Sequence, residues 1–312
     1  MNRRIMKISP FLLLVLMGHV CFPLLFIFQM RSISQHNLLE WILSLYTAIS
    51  YTAFIYVAGA WSWFGNATRL ALPMILAVVA VITFPYEHPE LNVSTVWSVD
   101  PLLSFCVGMV FTTLFVQALL GRRMSTSALE LAFPLNGGTY YVAQGGSTQI
   151  INIHRKSTSQ RYALDLLKLS KIGLRAAGFY PADPKKYSIF GADVVSPCDG
   201  VIRAAEDGFI DYSPPERDPE HRPGNFVALE CNGATIYLAH LMNGSIRVKA
   251  GEPVRKGQIL GRVGNSGNTT EPHLHIHAEE GSYPGEFSGK RGVPIQFEGR
   301  FLVRNDRVTM PG

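Results

Sequence analysis

Three histidines alternate in His273-Leu274-His275-Ile276-His277. Alternate residues of a strand share a face, so three imidazoles would line one side while Leu274 and Ile276 turn to a core. Same-face neighbours lie about 6.6 Å apart, twice the strand rise. Two such imidazoles can converge on one ion at Zn–N distances of about 2.0–2.1 Å. Three in a flat strand reach it less easily. A lone strand histidine is usually structural or solvated, but three beside apolar alternation point to a site.

Two further segments carry candidates. His240 follows the apolar run Ile236-Tyr237-Leu238-Ala239. Strand alternation puts Tyr237 and Ala239 on one face, Leu238 and His240 on the other. By itself such a histidine is more often a surface or core residue than a catalyst. Asp165 alternates out of a strand whose other face shows Tyr162, Leu164 and Leu166. It could instead end a strand or pair with Lys168. His154 follows Asn152-Ile153 on the preceding segment.

The arrangement as a whole resembles a family. Its residues are Val195-Ser196-Pro197-Cys198-Asp199-Gly200-Val201, Tyr237-Leu238-Ala239-His240-Leu241, Val248-Lys249-Ala250-Gly251 with Val254-Arg255-Lys256-Gly257-Gln258, Gly264-Asn265-Ser266-Gly267-Asn268 and Pro272-His273-Leu274-His275. They stand in the order found in lysostaphin-type (LytM-type) zinc endopeptidases, over a stretch from Phe133 to Ala278. The resemblance implies an antiparallel β fold with a groove, one Zn2+, and hydrolysis of peptidoglycan cross-link or stem peptides. It maps Asp165 and His275 onto metal ligands, and His240 and His273 onto the two catalytic histidines that do not bind metal. The family's other ligand is a histidine four residues before the aspartate. Here that position is Arg161, which is always protonated and cannot ligate. His154 is the favoured replacement, delivered by a preceding strand, with His277 as its rival.

Three protein ligands leave one tetrahedral zinc position open, as in catalytic sites. Chemistry of this kind polarises a carbonyl and activates water near neutral pH. No His-Glu-x-x-His motif is present, so the glutamate base of that class is missing. His273 is then the expected base and His240 the oxyanion stabiliser, with exchange of these roles left open. Glu279 and Glu280 could stand behind the ligands, but a solvated strand end is the favoured reading.

These residues need elements to hold them. After Arg123 the apolar runs shorten to four to eight residues, punctuated by Gly, Pro and Asn, as in an all-β domain. The strand candidates are Thr148–His154, Tyr162–Leu167, Asp193–Ser196, Gly200–Ala204, Asn225–Glu230, Thr235–His240, Gln258–Val263 and His273–Ala278. Gly208 to Gly224 reads as a surface loop near the site mouth. Cys198 and Cys231 could be bridged or free, while Cys21 and Cys106 read as buried small apolar groups.

Before residue 121 the texture differs. Phe11–Phe28, Trp41–Trp61, Leu70–Tyr86 and Pro101–Leu120 are apolar runs long enough to span a bilayer. The sequence therefore predicts an all-α bundle of four transmembrane helices in 1–123 and an antiparallel all-β peptidase domain in 124–312. Trp41, Trp61, Trp63 and Trp97 are expected as interface aromatics. His19 is expected to hydrogen-bond between packed helices.

Composition agrees with such a split. Of 312 residues 47% are hydrophobic and 16% charged, against about 25% charged in ordinary soluble domains. That excludes intrinsic disorder and argues against a purely cytosolic enzyme. The net charge of +5 divides into +3 for residues 1–125 and +2 for the remainder, with no basic cluster fit for nucleic acid. The expected partners are a lipid bilayer and a peptidoglycan peptide.

Two other readings compete. A non-catalytic scaffold that binds wall peptide or activates another hydrolase would explain Arg161. A biotinyl- or lipoyl-type carrier would explain the turns of Val248 to Gly264, but Met242 is followed by Asn243 rather than Lys. Sidedness is contested. Arg3, Arg4, Lys7, Arg69, Arg122 and Arg123 against Arg31 place both ends inside by the positive-inside rule. A peptidoglycan substrate asks for the extracytoplasmic side, and we expect the peptidase domain there.

Overall fold

The computed structural model describes residues 10–32, 38–86, 99–124, 127–281 and 290–311. The chain divides into two compact units, Met1–Leu119 and Leu120–Gly312. Trp97, Arg3, Arg4 and Lys7 lie outside the described residues.

The first unit is helical. Its elements are α1 (Pro10–Leu16), a π turn (Met17–Cys21), α2 (Phe22–Ser32), α3 (Leu38–Ala58), α4 (Asn66–Thr83) and α5 (Val99–Leu120). Among the described residues, four stretches, Leu13–Met30, Leu38–Ala58, Asn66–Thr83 and Pro101–Leu120, are long and apolar enough to cross a membrane. At 1.5 Å per residue they reach about 27–32 Å, the thickness of a hydrocarbon core.

Polar groups join these helices. Thr47 Oγ1 donates to the Ser104 carbonyl at 2.6 Å, and Gln29 Nε2 to Ser104 Oγ at 3.0 Å. His19 donates from Nδ1 to the Val15 carbonyl and accepts the Ala60 N–H at Nε2. Trp41, Trp61 and Trp63 are buried. Burial inside the bundle satisfies their large rings and polar N–H groups together: the Trp41 indole donates to Thr83 Oγ1 and that of Trp61 to the Ile55 carbonyl. Cys21 and Cys106 are exposed on their helices rather than buried.

The second unit is built on β strands. β1 is Leu129–Leu131, β2 Gly138–Gln144, β3 Leu164–Leu169, β4 Asp193–Val195 and β5 Gly200–Glu206. β6 is Asn225–Cys231, β7 Ala234–Leu241, β8 Pro253–Val254, β9 Ile259–Arg262 and β10 Leu274–Glu280. β11 (Gly292–Val293), β12 (Ile295–Phe297) and β13 (Arg307–Met310) complete the order. The main sheet runs β13-β2-β3-β10-β7-β6-β5-β8, with β11 on β10, and its pairings are antiparallel. β4 and β9 form an antiparallel pair; β1 and β12 form a parallel one.

Alternation in β10 is visible in its burial. Leu274, Ile276 and Ala278 enter the core with Leu166, Leu238 and Leu229, leaving His275, His277 and Glu279 on the other face. A disulfide joins Cys198 to Cys231.

Thr148–His154 is not a strand. It is turn, followed by a 3-10 helix at Ile153–Lys156. The buried Asn152 explains it: its side chain accepts the His154 N–H and donates to the Gly146 and Ala163 carbonyls, drawing the backbone off any ladder.

Candidate metal centre

β10 is the spine of the site. Its ladder with β3 sets His275 opposite Asp165, and its ladder with β7 sets His275 opposite Ala239 and His277 opposite Tyr237. Asp165 Oδ1 lies 2.9 Å from His275 Nδ1, and Oδ2 lies 2.9 Å from His154 Nε2. The Asn152 clamp delivers His154 from its 3-10 turn, not from a strand.

His273 sits just before β10. Its Nδ1–H donates to the Glu271 carbonyl at 2.9 Å, and its Nε2 stands 3.5 Å from Asp165 Oδ1. Arg175, itself buried, holds the Glu271 carboxylate at 2.8 Å.

His240 departs from simple alternation, which would point it with Leu238 into the core. The β6–β7 register runs from Phe226↔Ala239 to Asn225↔Leu241 and skips His240. At this bulge His240 takes φ of 64°, the left-handed region that non-glycine residues rarely enter. A bulge re-aims its side chain, and the ring turns to the His275 face, 4.8 Å from His273 and 5.9 Å from His275 between centroids.

Loop contacts fix that geometry. The His240 N–H donates to the Pro223 carbonyl and its Nδ1–H to the Ser266 carbonyl at 2.9 Å. Thus the segment from Gly208 to Gly224 packs behind a site histidine. Gly224 has φ of 60°, and a Cβ there would meet the Ser266 backbone at 2.4 Å, so only glycine permits this approach.

Charges reinforce the cluster. Burial acts to raise the Asp165 carboxyl, but the imidazoles of His154 and His273 outweigh it and hold it well below the usual carboxylate range. Burial pushes His240 well below the ordinary imidazole value, and His275 down to about 3. Burial also acts to lower His273, yet the Asp165 charge and contact raise it.

Among the described residues, two overlapping groups could hold a metal ion: His154, Asp165 and His275, or His240, His273 and His275. Within each, donor atoms lie within 4.8 Å of one another. Nitrogen and carboxylate oxygen donors, converging in a buried pocket from separate elements, fit zinc. The first group alone contains an anion to offset the metal charge.

His277 and Glu279 stand one tier back. His277 Nδ1 lies 3.1 Å from His275 Nε2, and His277 Nε2 lies 3.0 Å from Glu279 Oε1. His277 is therefore behind His275, not in either ligand group. Glu279 is 1% exposed and belongs to the site rather than to a solvated strand end. The strand period already visible in His273, His275 and His277 extends to 279 and could have found it. Sequence reasoning also missed the carbonyls of Ser266 and Glu271, which no side-chain type announces.

Residues 188–286 match the family model Peptidase family M23, a span with His240, His273 and His275 but without His154 and Asp165. The Vibrio cholerae peptidoglycan DD-endopeptidase ShyC is 31% identical over 142 residues, 45% of this chain and 29% of that protein. ShyA of the same organism is 28% identical over 138 residues, 44% and 29% of the two chains. The Neisseria meningitidis DD-carboxypeptidase/endopeptidase Mpg is 34% identical over 95 residues, 30% and 20%. The chain spans less than a third of the length of these curated relatives. Among solved structures, the catalytic domain of Staphylococcus simulans lysostaphin is 20% identical, with 52% of this chain and 85% of that one covered and a TM-score of 0.28. A zinc-containing peptidase from Vibrio cholerae is 22% identical, with coverage of 37% and 46% and a TM-score of 0.24. Within the β unit, residues 188–286 thus form a domain that matches Peptidase family M23.

Proposed function

We propose that this protein is a membrane-anchored zinc endopeptidase that hydrolyses peptide bonds of peptidoglycan. One observation carries the reading: His154, Asp165 and His275 converge on one point, with His240 and His273 beside it. The names of ShyA, ShyC and Mpg support the substrate class.

We assign His154 Nε2, Asp165 and His275 Nδ1 as the ligands. The chemistry such an ion supplies is Lewis acidity toward a carbonyl and a water whose pKa falls to about 7. Each catalytic histidine keeps its own proton on Nδ1, bound to a backbone carbonyl, so each Nε2 arrives as an acceptor. His273 takes the water's proton, because its Nε2 stands 3.5 Å from Asp165 Oδ1 and Asp165 stabilises its charged form. It then returns that proton to the departing amine. We assign His240 to the side of the carbonyl oxygen, where its Nε2 would take up a second proton from solvent as negative charge develops on that oxygen. No glutamate base is needed.

The four apolar helices serve as the anchor. We place the β unit on the extracytoplasmic side, where a Cys198–Cys231 disulfide persists and peptidoglycan lies. The positive-inside count opposes this placement. The test of the activity is digestion of purified peptidoglycan by the full chain in detergent, with chromatography of the released fragments. Cross-linked fragments should fall and uncross-linked ones rise; an unchanged profile would overturn the proposal.

A further inference from the structure

The row His275, His277, Glu279 on one face of β10 forms an unbroken buried chain. Each link has hydrogen-bond length, 3.1 Å and 3.0 Å. The three residues are at most 2% exposed. Tyr237 stacks on His277 with centroids 4.9 Å apart and planes within 9°, so the middle ring cannot swing away.

Protons can be followed along this chain. A carboxylate only accepts, so Glu279 accepts from His277 Nε2–H. A neutral imidazole has one proton, so His277 Nδ1 is then a bare acceptor and takes His275 Nε2–H. His275 in turn has no proton left for Nδ1. That bare nitrogen points at Asp165 Oδ1, 2.9 Å away. Two acceptors at that separation repel unless a cation joins them.

We propose that His277 and Glu279 are positioning residues that lock His275 in the tautomer with a free Nδ1 lone pair, preparing it as a metal ligand. The idea rests on the zinc reading above. Such outer partners orient a ligating histidine and raise its basicity, and losing one typically weakens metal binding by about 10–100-fold.

The test measures zinc affinity of the full chain in detergent by chelator competition, with thermal unfolding of the metal-free form as control. His277→Phe keeps the ring on Tyr237 but removes the acceptor. It should weaken zinc binding by about 10–100-fold while the metal-free unfolding temperature stays near wild type. His277→Asn, whose amide oxygen takes the place of Nδ1, should recover most of that loss. Glu279→Met, which removes the terminal acceptor at similar size, gives an independent variant should the phenylalanine protein fail to fold, and should weaken zinc binding in the same direction. Binding by folded His277→Phe, or by Glu279→Met in its stead, at wild-type affinity would overturn the proposal. His275→Ala separates the two ideas: if it also binds zinc as wild type does, the metal site itself is misassigned.

Discussion

His275 and Asp165 are cross-strand partners on β10 and β3, and their side chains meet at 2.9 Å although 110 residues separate them. The β10 ladder is what makes one point in space from two distant parts of the chain. With the Asn152 turn adding His154 and the β7 bulge adding His240, it accounts for the whole candidate centre.

His154 and Arg161 compete for the place of the family's first ligand, and substitution separates them. His154→Ala should reduce zinc affinity by more than the roughly 100-fold seen for outer partners. Arg161→Ala should leave it within about threefold, because an arginine donates no lone pair. Chelator competition on the purified chain reads both.

His240 and His273 are assigned to proton work, not ligation. Both alanine variants should keep about one zinc per chain while cleavage falls by about 100-fold or more, the scale of lost acid–base catalysis. Loss of the metal in either variant would move that histidine into the ligand set.

Much of this centre was legible before the fold. Period two in β10 put His275 on one face, and Asp165 stood out from an apolar strand. His240 was not legible in its orientation. A bulge is a register event between β6 and β7, and no local pattern in Tyr237-Leu238-Ala239 encodes it. The turn at His154 was missed because Asn152 outcompetes an apparently strand-like run through three side-chain bonds. The parallel β1–β12 pair joins segments whose partners are 166 residues apart, beyond any local signal. The helices were legible because length and apolarity alone define them, yet tryptophan burial depended on which helix packed beside each ring.

The Cys198–Cys231 bridge closes a loop between residues 33 apart. Replacing both cysteines by serine should lower unfolding free energy by about 2–4 kcal/mol. Thermal unfolding of the two proteins, with and without reductant, provides the comparison; equal stability in oxidising buffer would count against the bridge.

Sidedness has its own measurement. A reporter active only outside the cytoplasm, fused after Gly312, should be active if the β unit lies where peptidoglycan is. An inactive fusion, with a cytoplasmic reporter active in its place, would put the unit on the side that Arg69, Arg122 and Arg123 indicate.

The central claim is tested most directly by measuring zinc content and peptidoglycan cleavage together in wild type and His275→Ala. Wild type should carry about one zinc per chain, as a three-ligand catalytic site does, and release peptide cross-links. His275→Ala should lose both. A His275→Ala protein with unchanged zinc and unchanged cleavage would contradict the account.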